Sequence, residues 1–405
     1  MPFVTRKSSS VVQDLSRRSL VTGLAAAAAS AGVAAILYPA RSPATPRQSA
    51  KAVADMPATF RDGLIEARPS DVGLDAAELH KVLQSIRDGT ANIHSVLVLR
   101  RGKLVAELYR AGSDRSIYSL WPSHVTFGAT DRHDMRSISK SVVSLLYGML
   151  LERREVPGIG TPVVSLFPEY PELDIPSKRL IEIRHLLTMT AGLEWNEPSP
   201  VHRATSSDES GLMTRTSAYR YVFGREVIAA PGQSFVYSGG ATAVLAEIMT
   251  RATRRSLRDI AGRDVFAPLG IVDWEWVGNL FDTPLAAAGL RLRPRDLLKI
   301  GAMMLSKGKW QDRQIVPAAW VAQSTARSVV AEPIGGYGFQ WWSTSTSWRG
   351  KDLPVTSAIG NGGQRLFLIP DLDMAIVTTA GDYNDPAIAR PLDDLVRRLV
   401  ATASA

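Results

Sequence analysis

The sequence predicts an α+β fold, in which both ends of the chain build one antiparallel sheet and a mostly helical region is inserted between them. Two strand pairs, each joined by turn residues, support the sheet. The paired segments are 95–100 with 103–108 and 365–369 with 374–378. Between these pairs, apolar residues recur at helical spacing. We therefore expect the sheet part at about 90–135 and 335–405, flanked by helices, and the helical part at about 136–334.

The predicted helices combine apolar residues at helical spacing with capping residues, and loops rich in proline and glycine separate them. They cover Ser139 to Arg153, Leu180 to Met189, Ala241 to Thr253, Ser256 to Phe266, Pro294 to Leu305 and Pro317 to Ser324. An amphipathic helix over Pro386 to Thr402 is expected to complete the sheet part at the end of the chain.

Composition excludes several classes of protein. A chain of 405 residues with 45% hydrophobic content can build one large or two medium cores. The net charge of +8 is concentrated at the start, because the first 50 residues carry +5 of it, and the remainder holds no cluster of basic and aromatic residues. We therefore expect no nucleic-acid partner. The absence of cysteine excludes disulfides and thiolate chemistry.

The first 40 residues match an export signal. Arg17 and Arg18 precede an alanine-rich apolar run from Val21 to Pro39, which is the order of a twin-arginine signal. A membrane anchor is the alternative, since the run approaches the roughly 20 residues that span a bilayer, but its alanine and glycine content favours cleavage. We predict a signal at 1–40, a flexible lead-in at 41–58 and a folded domain at 59–405. The protein would be periplasmic or secreted, and would contact a membrane only through an uncleaved signal.

Ser137 and Lys140 are the first candidate catalytic residues. An apolar run from Val142 to Leu150 follows them, so they are expected to begin a buried helix, on which residues three apart are neighbours. The Lys140 amine, if neutral, could take the proton of the Ser137 hydroxyl during attack on a carbonyl. The backbone NH of Ser137, in the first turn, could face the resulting oxyanion.

The same spacing recurs at Ser306 and Lys309, where it serves as an internal control. Lys307, Gly308 and Lys309 have the glycine and cationic pattern of a helix end, and no apolar helix follows to bury a lysine. We therefore expect the second copy to be structural.

Two later segments are expected to join Ser137. Tyr237 lies in a loop beside glycines, where it is either a packing residue or a phenol that relays protons near a lysine. Asn361, Gly362 and Gly363 precede a predicted strand, where they are either an ordinary turn or a place where backbone comes close to a substrate and supplies a second NH.

Other chemistries find little support. The chain has no G-x-S-x-G elbow, no H-E-x-x-H helix and no phosphate-binding glycine loop. Its six histidines include no pair at metal-ligand spacing, so we expect neither a metal nor a cofactor. His133, four residues before Ser137, keeps a serine–histidine arrangement open, although the lysine is favoured.

These three elements, in this order and at these intervals, resemble the penicillin-recognising serine hydrolases. Within that superfamily the chain resembles class C-type β-lactamase-related hydrolases, a group that includes family VIII esterases and 6-aminohexanoate-dimer hydrolase. The resemblance covers about Val72 to Val400 and extends through four further segments. These are Ile183 to Leu193, Pro268 to Ile271, Arg293 to Lys299 and Tyr337 to Trp342.

The resemblance implies a β-lactamase/transpeptidase-like fold with the site in a cleft between its two parts. It also implies that Ser137 is the acylated nucleophile, that Lys140 and Tyr237 handle protons, and that the NH groups of Ser137 and Gln364 form an oxyanion hole. Trp341 is a further candidate, because it and its neighbour Trp342 could wall an acyl pocket, although at least one of them is expected to pack in the core.

Two departures from the resemblance bear on the substrate. Class C β-lactamases have Tyr-x-Asn where this chain has Tyr237, Ser238 and Gly239, and Lys-Thr-Gly where it has Asn361, Gly362 and Gly363. The asparagine and lysine side chains that are absent here would contact a β-lactam. We therefore expect an esterase or amidase acting on a small molecule. The alternatives are a penicillin-binding or sensor-like domain that is acylated but turns over poorly, a weak β-lactamase, or a D-amino-acid peptidase.

Overall fold

The computed structural model describes residues 60–199 and 206–404. The described residues other than 118–121 belong to one compact unit. The predicted signal at 1–40 and the lead-in at 41–58 lie outside the described residues. Within the described part, no helix is long and apolar enough to cross a bilayer.

The strands of the described chain are numbered in chain order. They are β1 Ile65–Glu66, β2 Ile93–Arg100, β3 Lys103–Tyr109, β4 Ala111–Asp114, β5 Ser123–Thr126, β6 His133–Asp134, β7 Glu275–Trp276, β8 Leu290–Leu292, β9 Lys309–Trp310, β10 Arg313–Gln314, β11 Val329–Ala331, β12 Gly335–Tyr337, β13 Trp342–Trp348, β14 Lys351–Gly360, β15 Gln364–Ile369 and β16 Met374–Ala380. Nine of them form the main sheet, in the order β1-β3-β2-β16-β15-β14-β13-β12-β11.

The two ends of the chain meet in the middle of this sheet, as the sequence predicts. β16 pairs antiparallel with β2, so that Ile376 lies opposite Val98. Every other neighbouring pair is also antiparallel except at one edge, where the two-residue strand β1 runs parallel to β3. The architecture is α+β, with a mixed sheet of almost entirely antiparallel strands.

The hairpin of β13 and β14 was not predicted. Serine and threonine residues fill the middle of β13, from Ser343 to Ser347, so the strand lacks the alternation of apolar residues on which a prediction depends. β13 is a strand because it pairs along its whole length with the long strand β14, and its composition alone does not reveal this.

The helices of the described chain are also numbered in order. They are α1 Ala76–Asp88, α2 Ile138–Glu152, α3 Pro176–Arg179, α4 Ile183–Leu187, α5 Ala218–Phe223, α6 Gly239–Thr253, α7 Leu257–Ala261, α8 Pro294–Leu305, α9 Ala318–Thr325 and α10 Ala389–Ala401. The bounds of α8 are those predicted. The other predicted helices are each found within a few residues of their predicted ends, with the second half of 256–266 forming a π-helical turn.

The sheet has a hydrophobic cluster on each face. On one face, α10 contributes Leu392, Leu395 and Leu399 to a cluster that α1 also covers. On the other face, α8 packs so closely that a Cβ atom at Gly301 would lie 2.8 Å from the Leu366 side chain. The second cluster continues into the helical part and encloses α2.

Helix α2 begins at the predicted site and is buried over most of its length. Its residues from Ile138 to Leu150 are all buried, which explains why an apolar run rather than a one-sided stripe marks it in the sequence. A glycine in its third turn, Gly148, allows the ring of Trp320 from α9 to lie against the backbone, since a Cβ atom there would be 2.1 Å from the ring. The helix is therefore a rigid support for the residues at its first turn.

Candidate active site

Ser137 is the N-cap of α2 and is partly exposed, whereas its neighbours on the helix are buried. The residue before it, Arg136, has φ 49, a left-handed conformation that is unusual for a side chain of this size. Ser139 secures the bend, because its hydroxyl donates to the Arg136 carbonyl at 2.6 Å and accepts from the Leu290 NH at 3.1 Å. Ser139 therefore has a structural role, and the sharp bend presents Ser137 at the surface.

Lys140 lies one turn further along and points back to Ser137. Its Nζ atom is 2.9 Å from Ser137 Oγ, 3.1 Å from Glu197 Oε1 and 3.4 Å from the carbonyl oxygen of Ala287. Lys140 is 1% exposed. The three-residue spacing thus brings the hydroxyl and the amine together, as the sequence predicts.

The condition under which Lys140 could act as a base, a neutral amine, is not met in the resting site. Burial by itself lowers the pKa of Lys140, but the acidic groups of Glu197, Tyr237 and Glu209 outweigh burial and raise this pKa above its usual value. Lys140 is therefore an ammonium ion that donates hydrogen bonds, and it cannot accept the Ser137 proton in this state.

Tyr237 is brought to the same place by the start of α6. The centre of its ring lies 4.8 Å from Lys140 Nζ, and its phenol lies close enough to Ser137 for that hydroxyl to influence its pKa. The ring stacks on Trp342 at a centroid distance of 5.6 Å. Burial raises the pKa of the Tyr237 phenol above its usual value, and the charge of Lys140 and the nearby Ser137 hydroxyl offset only part of this rise.

Sequence reasoning missed Glu197. This buried residue accepts hydrogen bonds from the Trp195 Nε1 group at 2.8 Å and from the Gly239 NH at 2.6 Å, in addition to its ion pair with Lys140. It lies in the loop after α4, 57 residues from Lys140 along the chain. No sequence motif or spacing around Trp195 and Asn196 marks Glu197 as a site residue.

Glu209 lies next to Glu197, in a 3₁₀ segment at Asp208–Thr214. The two carboxylates border the same space, because a Cβ atom at Gly239 would be 2.8 Å from Glu197 Oε2 and 3.0 Å from Glu209 Oε1. Burial of the carboxyl group and the charge of Glu197 raise the pKa of Glu209 to about 7.

Gln340 ties together the helices around the site. Its side chain accepts from the Thr242 hydroxyl of α6 at 2.7 Å and donates to the carbonyl of Leu186 in α4 at 3.0 Å. Its own carbonyl accepts from Ser141 of α2 at 2.6 Å. This buried amide therefore links α2, which carries Lys140, to α6, which follows Tyr237. That link explains why a polar residue lies among the aromatic residues of this segment.

The predicted glycine segment is the turn between β14 and β15. Gly360, at the end of β14, approaches the nucleophile segment so closely that a Cβ atom there would be 2.3 Å from the Met135 carbonyl oxygen. Asn361 is exposed, whereas Gly362 and Gly363 are buried against the segment that follows β16. Of the three predicted substrate-binding residues, only Asn361 is open to a substrate.

Gln364 is the first residue of β15. Its side chain is buried and its amide donates to the Ala380 carbonyl, while its Cα atom lies opposite that of Gly360 in the sheet. The role of its backbone NH in the oxyanion hole stays a prediction.

Trp341 is also enclosed. It is 1% exposed and belongs to the hydrophobic core beneath the site, which is evidence against substrate contact. Its neighbour Trp342, also buried, is the residue whose ring supports Tyr237.

His133 is not positioned as a partner of Ser137. Its ring stacks on Phe127 at 4.2 Å and its Nε2 atom lies 3.5 Å from the Thr379 hydroxyl. Burial lowers the pKa of His133 well below its usual value. Among the described residues, no three histidine, aspartate or glutamate side chains are grouped so that they could hold a metal ion.

The second S-x-x-K copy lies at the end of α8, as expected. The NH groups of Lys307 and Gly308 cap the helix by donating to the carbonyls of Met304 and Met303. Ser306 is exposed and no buried lysine lies beside it.

A partly exposed hydroxyl that is hydrogen-bonded to a buried ammonium ion, with a phenol ring beside that ion, defines a serine hydrolase site. Residues 89–400 match the Beta-lactamase family, and the chain belongs to this family. The match contains Ser137, Lys140 and Tyr237.

Two characterised relatives are hydrolases. The chain is 28% identical over 310 residues to the 6-aminohexanoate-dimer hydrolase of Paenarthrobacter ureafaciens, a similarity that covers 72% of each chain. It is 28% identical over 225 residues to the esterase EstB of Burkholderia gladioli, covering 52% of this chain and 54% of that protein.

Solved structures share the fold. A putative 6-aminohexanoate-dimer hydrolase from Bacillus anthracis superposes with a TM-score of 0.62 at 17% identity, over 84% of this chain and 87% of that one. EstCE1, a hydrolase with promiscuous acyltransferase activity, superposes with a TM-score of 0.60 at 19% identity, over 80% of this chain and 98% of that one. The fold is thus β-lactamase/transpeptidase-like, as predicted.

Proposed function

We propose that this protein hydrolyses an ester or amide bond of a small molecule through a covalent acyl-enzyme on Ser137. The supporting observation is the 2.9 Å contact between Lys140 Nζ and Ser137 Oγ, with the centre of the Tyr237 ring 4.8 Å from the same amine. A serine is a weak nucleophile unless a neighbouring group takes its proton, and this arrangement provides two groups that handle protons.

In the acylation step, Ser137 Oγ bonds to the substrate carbonyl carbon while its proton passes to Tyr237. Tyr237 reacts in its ionised form, which the Lys140 ammonium ion stabilises. The carbonyl electron pair moves to oxygen and forms a tetrahedral oxyanion. When the carbonyl is restored, the bond to the leaving alcohol or amine breaks, and that group takes the proton from Tyr237.

Deacylation repeats these steps with water. Tyr237 takes a proton from a water molecule, the hydroxide bonds to the acyl carbon, and Ser137 leaves and regains its proton. In both steps the oxyanion is stabilised by backbone NH groups. Among the described residues, no backbone carbonyl accepts from the Ser137 NH. For the second NH we propose Asn361, the exposed residue of the turn before β15, as a candidate beside the predicted Gln364.

Esters and linear amides are the proposed substrates. Two relatives that the chain matches in sequence are named as a 6-aminohexanoate-dimer hydrolase and an esterase. Neither an amide side chain at Gly239 nor a cation at Asn361 is present for a β-lactam carboxylate. Efficient hydrolysis of β-lactams is therefore not expected.

We also propose that the protein is exported by the twin-arginine route and acts in the periplasm or outside the cell. The support is the order of Arg17, Arg18 and the apolar run that follows them.

A fluorophosphonate probe and p-nitrophenyl esters test the proposed reaction. The probe should label the purified protein at Ser137, identified by peptide mass, and the ester should be turned over many times per active site. Ser137→Ala should abolish both signals. Labelling without turnover would instead identify a sensor-like domain that is acylated and stays so.

Ser306→Ala is the matched control, because it removes the serine of the second S-x-x-K copy from an exposed helix end. It should leave labelling and turnover intact. Loss of activity in this variant, or labelling at any residue other than Ser137, would contradict the assignment of the nucleophile.

A further inference from the structure

The Glu197 carboxylate is held in one position by three donors from different parts of the chain. Lys140 donates at 3.1 Å, the Trp195 indole at 2.8 Å and the Gly239 NH at 2.6 Å. Hydrogen bonds to an ionised acceptor are stronger than neutral ones, and three of them compensate for the burial of this charge. The site is therefore built around an ionised Glu197.

Lys140 in turn directs its protons at three acceptors, which are Ser137 Oγ, Glu197 Oε1 and the Ala287 carbonyl. An ammonium group has three N–H donors and no lone pair. The geometry thus matches a charged lysine in which each proton faces one oxygen atom.

Gly239 makes this arrangement possible. A Cβ atom at this position would lie 2.8 Å from Glu197 Oε2 and 3.0 Å from Glu209 Oε1, so any side chain would collide with the two carboxylates. This is the position at which class C β-lactamases carry asparagine. In this protein the space of that side chain is filled by acids from elsewhere in the chain, and a neutral amide is replaced by negative charge.

We infer that Glu197 is a positioning residue, which uses the space left by Gly239 to hold Lys140 as an ammonium ion directed at Ser137 and Tyr237. This role deepens the proposed function, because it matters only if Ser137 is the nucleophile. Lys140 then stabilises the Tyr237 phenolate and does not itself remove the Ser137 proton.

The groups that face the lysine come from several elements. Ser137 lies on the same helix, Glu197 on the loop after α4, Tyr237 just before α6 and Glu209 on the 3₁₀ segment. The charge of Arg136 lowers the pKa of Glu209 and so favours the ionised form of this carboxylate. Glu197 is the only one of the two carboxylates with a hydrogen bond to Lys140 in the described structure, so its removal should have the largest effect.

Glu197→Gln removes the charge and keeps the shape. The buried Lys140 then lacks its hydrogen-bonded counter-ion, so burial lowers its pKa and it loses its proton within the working pH range. We expect kcat/KM for p-nitrophenyl acetate between pH 6 and 9.5 to acquire a new alkaline limb, with a decline of about tenfold per pH unit above the new pKa. The intact enzyme should show no such limb.

Glu194→Gln is the matched control, because Glu194 is an exposed glutamate three residues earlier on the same loop. Its profile should follow that of the intact enzyme. Glu197→Asp restores the charge with a shorter side chain, and should remove the alkaline limb even if kcat stays lower.

An unchanged pH profile in Glu197→Gln would overturn the inference. So would faster hydrolysis at neutral pH, because a lysine freed from its counter-ion would then be acting as the base. Fluorophosphonate labelling separates this failure from that of the proposed function. Labelling of the intact enzyme at Ser137 with an unchanged Glu197→Gln profile rejects only the positioning role, whereas no labelling at Ser137 rejects the proposed nucleophile.

Circular dichroism melting establishes whether each variant is folded. If Glu197→Gln does not fold, Gly239→Ala provides the second test, because it changes no charge but displaces the two carboxylates. It should reproduce the alkaline limb in weaker form. A folded Gly239→Ala enzyme with the profile of the intact enzyme would overturn the inference.

Discussion

The amine of Lys140 lies 4.8 Å from the centre of the Tyr237 ring, although 97 positions separate these residues in the sequence. The first turn of α2 positions the amine, and the loop before α6 positions the phenol. Trp342, the first residue of β13, stacks on the same ring and so helps to fix the phenol beside the sheet. The charge of the amine and the acidity of the phenol therefore depend on each other.

Tyr237→Phe should lower kcat for an ester substrate by about 10² to 10⁴-fold, the usual contribution of a proton-transfer group. The variant keeps the ring that stacks on Trp342 and removes only the hydroxyl that is proposed to exchange a proton with Ser137, so KM and the melting temperature should change little. Steady-state kinetics and a thermal melt check this result.

Tyr147→Phe provides the control for Tyr237→Phe. Tyr147 is a buried tyrosine of the same helix as Ser137, but its phenol donates to the Pro157 carbonyl at 2.7 Å. Its loss should cost about 1 kcal/mol of stability and leave kcat unchanged. Equal losses of kcat in the two variants would show that Tyr237 has only a packing role.

Asn361→Pro should lower kcat by about 10² to 10³-fold, because proline has no backbone NH and the proposed oxyanion hole would lose one donor. Asn361→Ala retains the NH and loses only the side-chain hydrogen bonds with Asn384, so it should remain close to the intact enzyme. The two variants are compared by kcat and by the rate of fluorophosphonate labelling. Full activity of Asn361→Pro would remove Asn361 from the oxyanion hole.

Acid should destabilise the fold through two buried histidines. Burial lowers the pKa of His94 to about 4 and that of His133 well below its usual value. Both are depressed in the folded state, so their contribution to stability is complete above about pH 6.5, the value in the unfolded chain, and is lost as the pH falls. For His94 the loss is on the order of 3 kcal/mol by pH 4.

Urea unfolding between pH 4.5 and 7.5 measures this effect. His133→Phe keeps the ring stack with Phe127 but cannot titrate, so the free energy of unfolding should fall less steeply with acid. His124→Phe, at an exposed position, should keep the slope of the intact protein. Equal slopes in all three proteins would contradict a role of the buried imidazole.

Replacing both Arg17 and Arg18 with lysine should leave the protein in the cytoplasm. The twin-arginine signal is an address read by a receptor, and lysine keeps the charge without the planar guanidinium group. Esterase activity in periplasmic and cytoplasmic fractions measures the outcome. The same change at Arg41 and Arg47, outside the twin-arginine pair, should not alter export, and unchanged export of the first variant would reject the signal.

Sequence patterns predicted the helices and strands that are determined by residues close together in the sequence. Helix α8 has its predicted bounds, because a proline begins it and a glycine turn ends it. The strands at both chain ends were also identified, since each alternates or carries apolar residues between turn residues. Most important, the spacing of Ser137 and Lys140 on one helix fixes their distance, because three residues make nearly one turn of the helix.

The remainder depended on the tertiary structure. Whether the side chains of Gln364 and Trp341 reach the cleft is decided by what packs over them, and both are enclosed. The charge of Lys140 is decided by Glu197, a residue that only the fold brings to it. By itself the sequence determined that the Ser137 hydroxyl and the Lys140 amine lie together, because helical spacing is a local property, whereas the place of the Tyr237 phenol beside them was expected from the resemblance and depends on the fold. The protonation of those groups was decided by the tertiary structure alone, because a pKa depends on burial and on charges from distant parts of the chain.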